Sequence, residues 1–135
     1  MATKVFVNLP VRDLDKSMKF FSQLGFSSDK KFTDETTACM SVTDDMSVML
    51  LTKEKFKMFT PKEICDAKKS TEVLVCLSLD SREKVDDMVN KAISAGGTTY
   101  NDPQDYGFMY GHGFQDLDDH IWEVVYMAPN MITQG

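Results

Sequence analysis

At 135 residues with 42% hydrophobic content, the chain is long and apolar enough to bury a core of its own as one globular domain, which excludes intrinsic disorder. A net charge of −6 and a pI near 4.8 argue against nucleic acid, whose phosphates require a basic face. With no long apolar run and no charged N-terminal segment leading into one, neither a membrane span nor a secretory signal is expected, and the expected location is the cytoplasm.

Val5, Val7, Leu9 and Val11 alternate with Phe6, Asn8 and Pro10, the period-two pattern of a strand with one aliphatic face. Asp13 offers a helix N-cap, Leu14, Met18, Phe21 and Leu24 recur at helical spacing, and Gly25 supplies a stop. From Phe26 to Lys53 three short strands are expected, including a hairpin of residues 38–42 and 46–52 around a turn at Asp44 and Asp45. Between the halves, Thr60, Pro61 and Glu63 have the spacing of a capping box, which predicts a short helix starting at Pro61. Phe56, Met58 and Phe59 just before it read first as packing residues and second as a lid.

A second copy of the design then begins. Val73, Val75, Leu77 and Leu79 alternate, Ser81 caps, and Val85, Met88, Val89 and Ala92 form an apolar stripe that ends at Gly96 and Gly97. Residues 106–115 and 120–127 flank a turn at residues 116–119. Aligning the two strand-helix units matches Phe6 with Leu74, and aligning the double aspartates of the two hairpin turns matches Met49 with Glu123. Cys39, Cys65 and Cys76 are odd in number with no Cys-x-x-Cys pair, which predicts free thiols rather than disulfides or structural zinc.

Two copies of strand, helix and three strands predict an α+β fold of paired βαβββ modules. The modules span about residues 3–53 and 71–128, joined by about 54–70. Each helix covers one face of its sheet, so the sheets are expected to cup around a concave cavity. The chain resembles the vicinal oxygen chelate superfamily, the glyoxalase, bleomycin-resistance and extradiol dioxygenase group. The resemblance is carried by Asn8 to Ser17 (NLPVRDLDKS), the helix ending at Phe20, Phe21, Leu24, Gly25 and Phe26, the stop at Ala95, Gly96 and Gly97, and Phe114 to Glu123 (FQDLDDHIWE). It implies a small-molecule ligand, a homodimer and, in metal-dependent members, one metal ligand on the first and one on the last strand of each module.

Carried over, those ligand positions fall at Phe6, Met49, Leu74 and Glu123, of which only Glu123 is a ligand type. The expectation is therefore a glyoxalase- or bleomycin-resistance-like binding protein with no metal residues of the usual kind and no cofactor. A divalent ion held by Glu123 with His112 or His120, in a lyase or dioxygenase, is one alternative. A non-catalytic dimer sequestering a cationic drug or metabolite is the other. Alternation sends Phe6, Asn8, Met49, Leu74, Cys76 and Glu123 to the cavity. Glu123, a carboxylate facing an apolar space, is the candidate general base or counter-ion, and Asn8 is either a ligand contact or bonded to a neighbouring strand end. His120 is expected to brace its hairpin, where relatives have an Asp-Gly-His segment and this chain has Asp119 for the glycine. For Tyr110 and His112 the facing depends on the turn: a slip of one residue would put Gly111 and Gly113 there instead. Glycines 107, 111 and 113 predict that a ligand or another backbone approaches closely.

Overall fold

Alternating Val5 to Val11 forms strand β1 (Val5–Val11), and Asp13 caps helix α1 (Leu14–Gln23) by accepting the Lys16 N–H at 3.1 Å. The structure is a computed structural model that describes residues 3–129. In it the chain divides into two compact units, 1–66 and 67–135, each built around one of the two modules. The first continues through β2 (Ser27–Asp29), a 3-10 turn (Lys30–Phe32), β3 (Thr37–Thr43), β4 (Met46–Thr52) and a one-turn helix α2 (Lys53–Lys57). Its open mixed sheet has the order β1-β4-β3-β2, with β1 parallel to β4 and the other neighbours antiparallel.

The second unit holds β5 (Val75–Ser78), α3 (Arg82–Ser94), β6 (Gln104–Asp105), β7 (Met109–Gln115) and β8 (Ile121–Met127). Its sheet order, β5-β8-β7-β6, reproduces the first with the same directions. The correspondence read from sequence is the correspondence of the ladders: Asn8 pairs with Met49, and their counterparts in the second copy, Cys76 and Glu123, pair with each other. Both helices end alike. Gly25 (φ 101°) and Gly96 (φ 107°) take the left-handed conformation, and the next residues, Phe26 and Gly97, return N–H bonds to the Phe21 and Ala92 carbonyls.

One face of each sheet is sealed by its helix. In the first unit Leu9, Val11, Ala38, Met40, Val48 and Leu50 are buried with Phe20, Phe21, Leu24 and Phe26, and Phe21 stacks on Phe26 at 5.4 Å. In the second, Phe114 and Trp122 stack at 6.1 Å above Val85, Val89 and Ala92. Each such large side chain contributes roughly 1.5–3 kcal/mol by leaving water, so these two clusters dominate the stability of their modules.

Three expectations need correction. No helix starts at Pro61: Thr60 Oγ1 accepts from Lys62 N at 3.1 Å, a local turn, and the one-turn helix instead begins at Lys53, where Thr52 caps by accepting from Lys55 N. The capping residues are present, but the segment after Pro61 has no apolar stripe to bury, and a lone turn does not offset its nucleation cost. Strand β5 is shorter than the alternation from Val73 to Leu79 suggests, because Val75 already pairs with Trp122 and β8 begins only one residue earlier. Strand β7 starts at Met109 rather than Tyr106, with Gly107 at φ 80° turning the chain between β6 and β7.

The turn before β8 is organised by Asp116. Its Oδ1 accepts from Asp118 N and His120 N at 2.9 and 3.0 Å, and its Oδ2 accepts from Trp122 Nε1 at 3.0 Å. Burial pushes this carboxyl above the usual carboxylate range, opposed by His120 and by the three N–H donors. Asp119 adopts φ 67°, the one positive φ among non-glycine described residues. Asp116→Ala leaves the three donors without their acceptor, and we expect a loss of about 3 kcal/mol in urea unfolding followed by Trp122 fluorescence.

Candidate functional site

The ladder registers decide which side chains lie on the sheet face away from each helix. In the first unit these are Phe6 and Asn8 of β1, Met49 and Leu51 of β4, and Thr37 and Cys39 of β3. The segments that follow β2 and β4 bend over this face, Cys39 N donating to Thr33 Oγ1 at 3.1 Å. Between sheet and segments runs a groove of about 420 Å³. Its floor is Asn8, Thr37, Met49 and Leu51, and its walls are Lys31, Phe32, Thr33 and Asp34 on one side and Lys55 and Phe59 on the other.

Of the residues expected there, the structure brings Asn8 and Met49 into the groove; Phe6 is on the same face and 54% exposed. The Asn8 amide makes no hydrogen bond to any described residue, so the bond to a neighbouring strand end is not formed. Phe59 is a groove wall and Met58 is exposed, which places one of the three apolar connecting residues at the site. The wall cations Lys31 and Lys55 and the ring of Phe32 were not legible from the sequence. They lie in segments without periodicity, and only the fold of those segments over the sheet brings them to it.

Asp34 is a fixed part of the wall. Its Oδ1 accepts from Thr36 N at 2.8 Å, Thr37 N at 3.0 Å and Thr36 Oγ1 at 3.0 Å. These bonds, the one from Thr36 N first, hold its carboxyl below the ordinary range, with the Lys55 charge adding to the effect. Lys55 Nζ lies 5.6 Å from the Phe59 ring centroid.

In the second unit Cys76, Glu123, Val125, Gly111 and Gly113 share the face away from the helix. Gly113 pairs with Glu123, and a Cβ on Gly113 would collide with the Tyr100 hydroxyl and ring. The sequence predicts a ligand or another backbone close to these glycines; at Gly113 the approaching group is instead the side chain of Tyr100. Desolvation, then the Glu123 carboxylate, raises both the Cys76 thiol and the Tyr100 phenol, so both are protonated at neutral pH. Leu74, just ahead of β5, is 52% exposed.

Tyr110 and His112 lie on the other face of the sheet from Glu123, since Gly111 and Gly113 occupy its register. Tyr110 Oη donates to Asp86 of α3, with the Arg82 guanidinium 5.1 Å from its ring centroid. His112 Nε2 lies 2.9 Å from the Asn101 carbonyl oxygen and 3.2 Å from Thr99 Oγ1, which itself donates to Gly113 O at 2.8 Å. Both side chains therefore tie α3 and the segment after it to β7. This register separates His112 from Glu123, and the backbone of His120 is held by Asp116.

The positions that the sequence resemblance assigns to metal ligands carry phenyl, thioether and isobutyl groups at Phe6, Met49 and Leu74, leaving Glu123 as their one oxygen donor. Among the described residues no three His, Cys, Asp or Glu side chains gather as an ion would require. The residues present do not fit the group.

Two βαβββ modules in tandem, with matched ladders and matched helix ends, define the fold of the vicinal oxygen chelate superfamily. Residues 3–43 match the family model described as bleomycin resistance protein-like N-terminal. Among solved structures, a hypothetical protein from S. aureus is 28% identical over 93% of this chain and 94% of its own, with a TM-score of 0.78. A glyoxalase/bleomycin resistance protein/dioxygenase family enzyme from Burkholderia phytofirmans PsJN is 19% identical over 94% and 100%, also at 0.78. The fosfomycin resistance protein FosX from Mesorhizobium loti is 12% identical over 98% and 96%, at 0.66. No curated protein sequence matches the chain. The chain has the vicinal oxygen chelate fold with a bleomycin-resistance-like first module, as the resemblance in its sequence implies. No helix among the described residues is long and apolar enough to cross a membrane.

The electrostatics of the second face give a direct check. Glu123→Gln removes the charge that disfavours the Cys76 thiolate, so the thiol pKa falls and the reactive fraction at pH 8 rises. Alkylation of Cys76 by iodoacetamide, followed by peptide mass mapping, is expected to accelerate about two- to fivefold.

Proposed function

We propose that this protein binds a small organic molecule in the groove of its first module, without a metal at the positions that hold one in metal-dependent relatives. The observation that carries the reading is the groove itself. Its volume of about 420 Å³ is that of a small-molecule site, its floor mixes apolar Met49 and Leu51 with polar Asn8 and Thr37, and the Asn8 amide offers a donor and an acceptor. The names of the bleomycin- and fosfomycin-resistance relatives support a ligand of drug or metabolite size.

Met49→Trp tests this, because the larger side chain fills the floor from a half-buried position without entering the helix-side core. In an NMR fragment screen, compounds that shift Asn8, Thr37 and Phe59 in the wild type are expected to lose at least about tenfold in affinity in the variant, with the thermal midpoint kept within a few degrees. Hits that map outside the groove, or groove hits unaffected by the tryptophan, would refute the assignment.

A second reading is supported by Glu123, which shares a sheet face with Cys76 and lies near enough to Tyr100 for its charge to raise both groups. In that reading Glu123 is a proton acceptor for a bound molecule and the protein is an enzyme. Glu123→Gln then abolishes turnover, whereas unchanged turnover assigns Glu123 to the scaffold.

Homodimerisation completes the proposal. Phe6 and Leu74, equivalent residues of the two modules, are each more than half exposed, and pairing with a second copy is a means of covering such apolar surface. Sedimentation equilibrium at micromolar concentration is expected to give twice the 15.3 kDa chain mass, and a monomer would reject this part of the reading.

A further inference from the structure

The charge of the groove runs against the charge of the protein. The chain carries −6 overall, yet the groove walls supply two lysines, Lys31 and Lys55, against a single carboxylate. That carboxylate, Asp34, is already occupied by two backbone N–H groups and a hydroxyl. Among the described residues neither lysine is held in an ion pair. Two ammonium groups against one carboxylate, which its hydrogen bonds keep ionised, leave the groove walls with a net positive charge on an acidic protein.

The aromatic residues of the walls add shape. Phe32 is 61% exposed and Phe59 68% exposed, so each puts an open ring at the groove rather than into a core. Rings left in water at a pocket edge are surfaces for another flat group, and Lys55 stands over one of them at 5.6 Å. A ligand with a planar apolar body and an anionic head satisfies both features at once. A cationic ligand would meet two like charges and one opposite charge, Asp34.

Resting on the proposal that the groove is the binding site, we infer that its ligand is an aromatic anion, with an oxyacid group at Lys31 and Lys55 and a ring system between Phe32 and Phe59. This is opposite in charge to the cationic drug or metabolite of the alternative reading of the sequence. The head group is defined by its charge and oxygen acceptors, which a carboxylate and a phosphate share.

Four naphthalene probes of one size separate the possibilities: 1-naphthoate, 1-naphthyl phosphate, neutral 1-naphthylmethanol and cationic 1-naphthylmethylammonium. Each is titrated into the full chain and followed by NMR shifts of Asn8, Thr37 and Phe59. The anions are expected to bind at least about tenfold tighter than the cation, and the stronger of the two identifies the head group. Lys31→Gln and Lys55→Gln are each expected to weaken the anions about two- to fivefold and to leave the neutral probe unchanged. Phe59→Ala is expected to weaken all four. If the neutral probe shifts the groove residues while the anions gain nothing from the lysines, the anion inference falls and the binding site stands. Equal or tighter binding of the cation overturns the inference in the same way. If no probe shifts groove residues, the inference and the site fall together.

Discussion

In each module one helix, of ten residues in the first and thirteen in the second, lies against one face of a four-stranded sheet. A helix about 10 Å across can seal only that face, and side chains along a strand alternate between the two. The placement of every strand residue at the candidate site follows from this constraint together with the ladder registers. Val48 and Leu50 are sealed beneath the helix, while Met49 between them is turned to the groove. A one-residue slip of β4 would exchange these roles and bring the core residues to the groove.

The uncovered face is treated differently in the two modules. In the first, the segments around the 3-10 turn and α2 fold over it and leave a groove whose walls carry lysines and phenylalanines. In the second, Tyr100 lies over Gly113, and a cysteine, a carboxylate and a phenol are brought together there. The shared architecture therefore yields an amphipathic groove in one half and a cluster of titratable groups in the other. The chemistry differs because the segments outside the ladders differ in length and residue type, although the strands beneath them are in register.

The duplicated ladder position also bears on the proposal that this protein works without the superfamily's metal. Asn8 opposite Met49 and Cys76 opposite Glu123 are the same point of the two sheets. The positions that the sequence resemblance assigns to metal ligands, at this level and one pleat away, need side chains with nitrogen or oxygen lone pairs, and Phe6, Met49 and Leu74 have none of the right kind. What they supply instead is apolar surface, which suits a ligand held by shape, with selectivity left to the polar groups at the floor and walls.

Much of this was determined by the sequence alone, because the repeat is written in short-range patterns. Period-two alternation gives the strands, the Asp13 and Ser81 caps with Gly25 and Gly96 stops give the helices, and alignment of the two copies gives the matched ladders. Each is a local consequence of backbone sterics or of hydrogen bonding between near neighbours in the chain. Where a local signal lacked tertiary support it misled: the capping residues around Pro61 form only a turn, since no apolar face there compensates for helix nucleation. The facing of β7 hung on a single residue of turn length, and the Asp116 bonds with Asp119 in a left-handed conformation decided it, turning Tyr110 and His112 away from Glu123. Lys31, Phe32, Lys55 and Tyr100 have no periodic neighbours to announce a face. Their places depend on how irregular segments close over a sheet edge, which is a property of packing between residues distant in the chain and is absent from any short stretch of it.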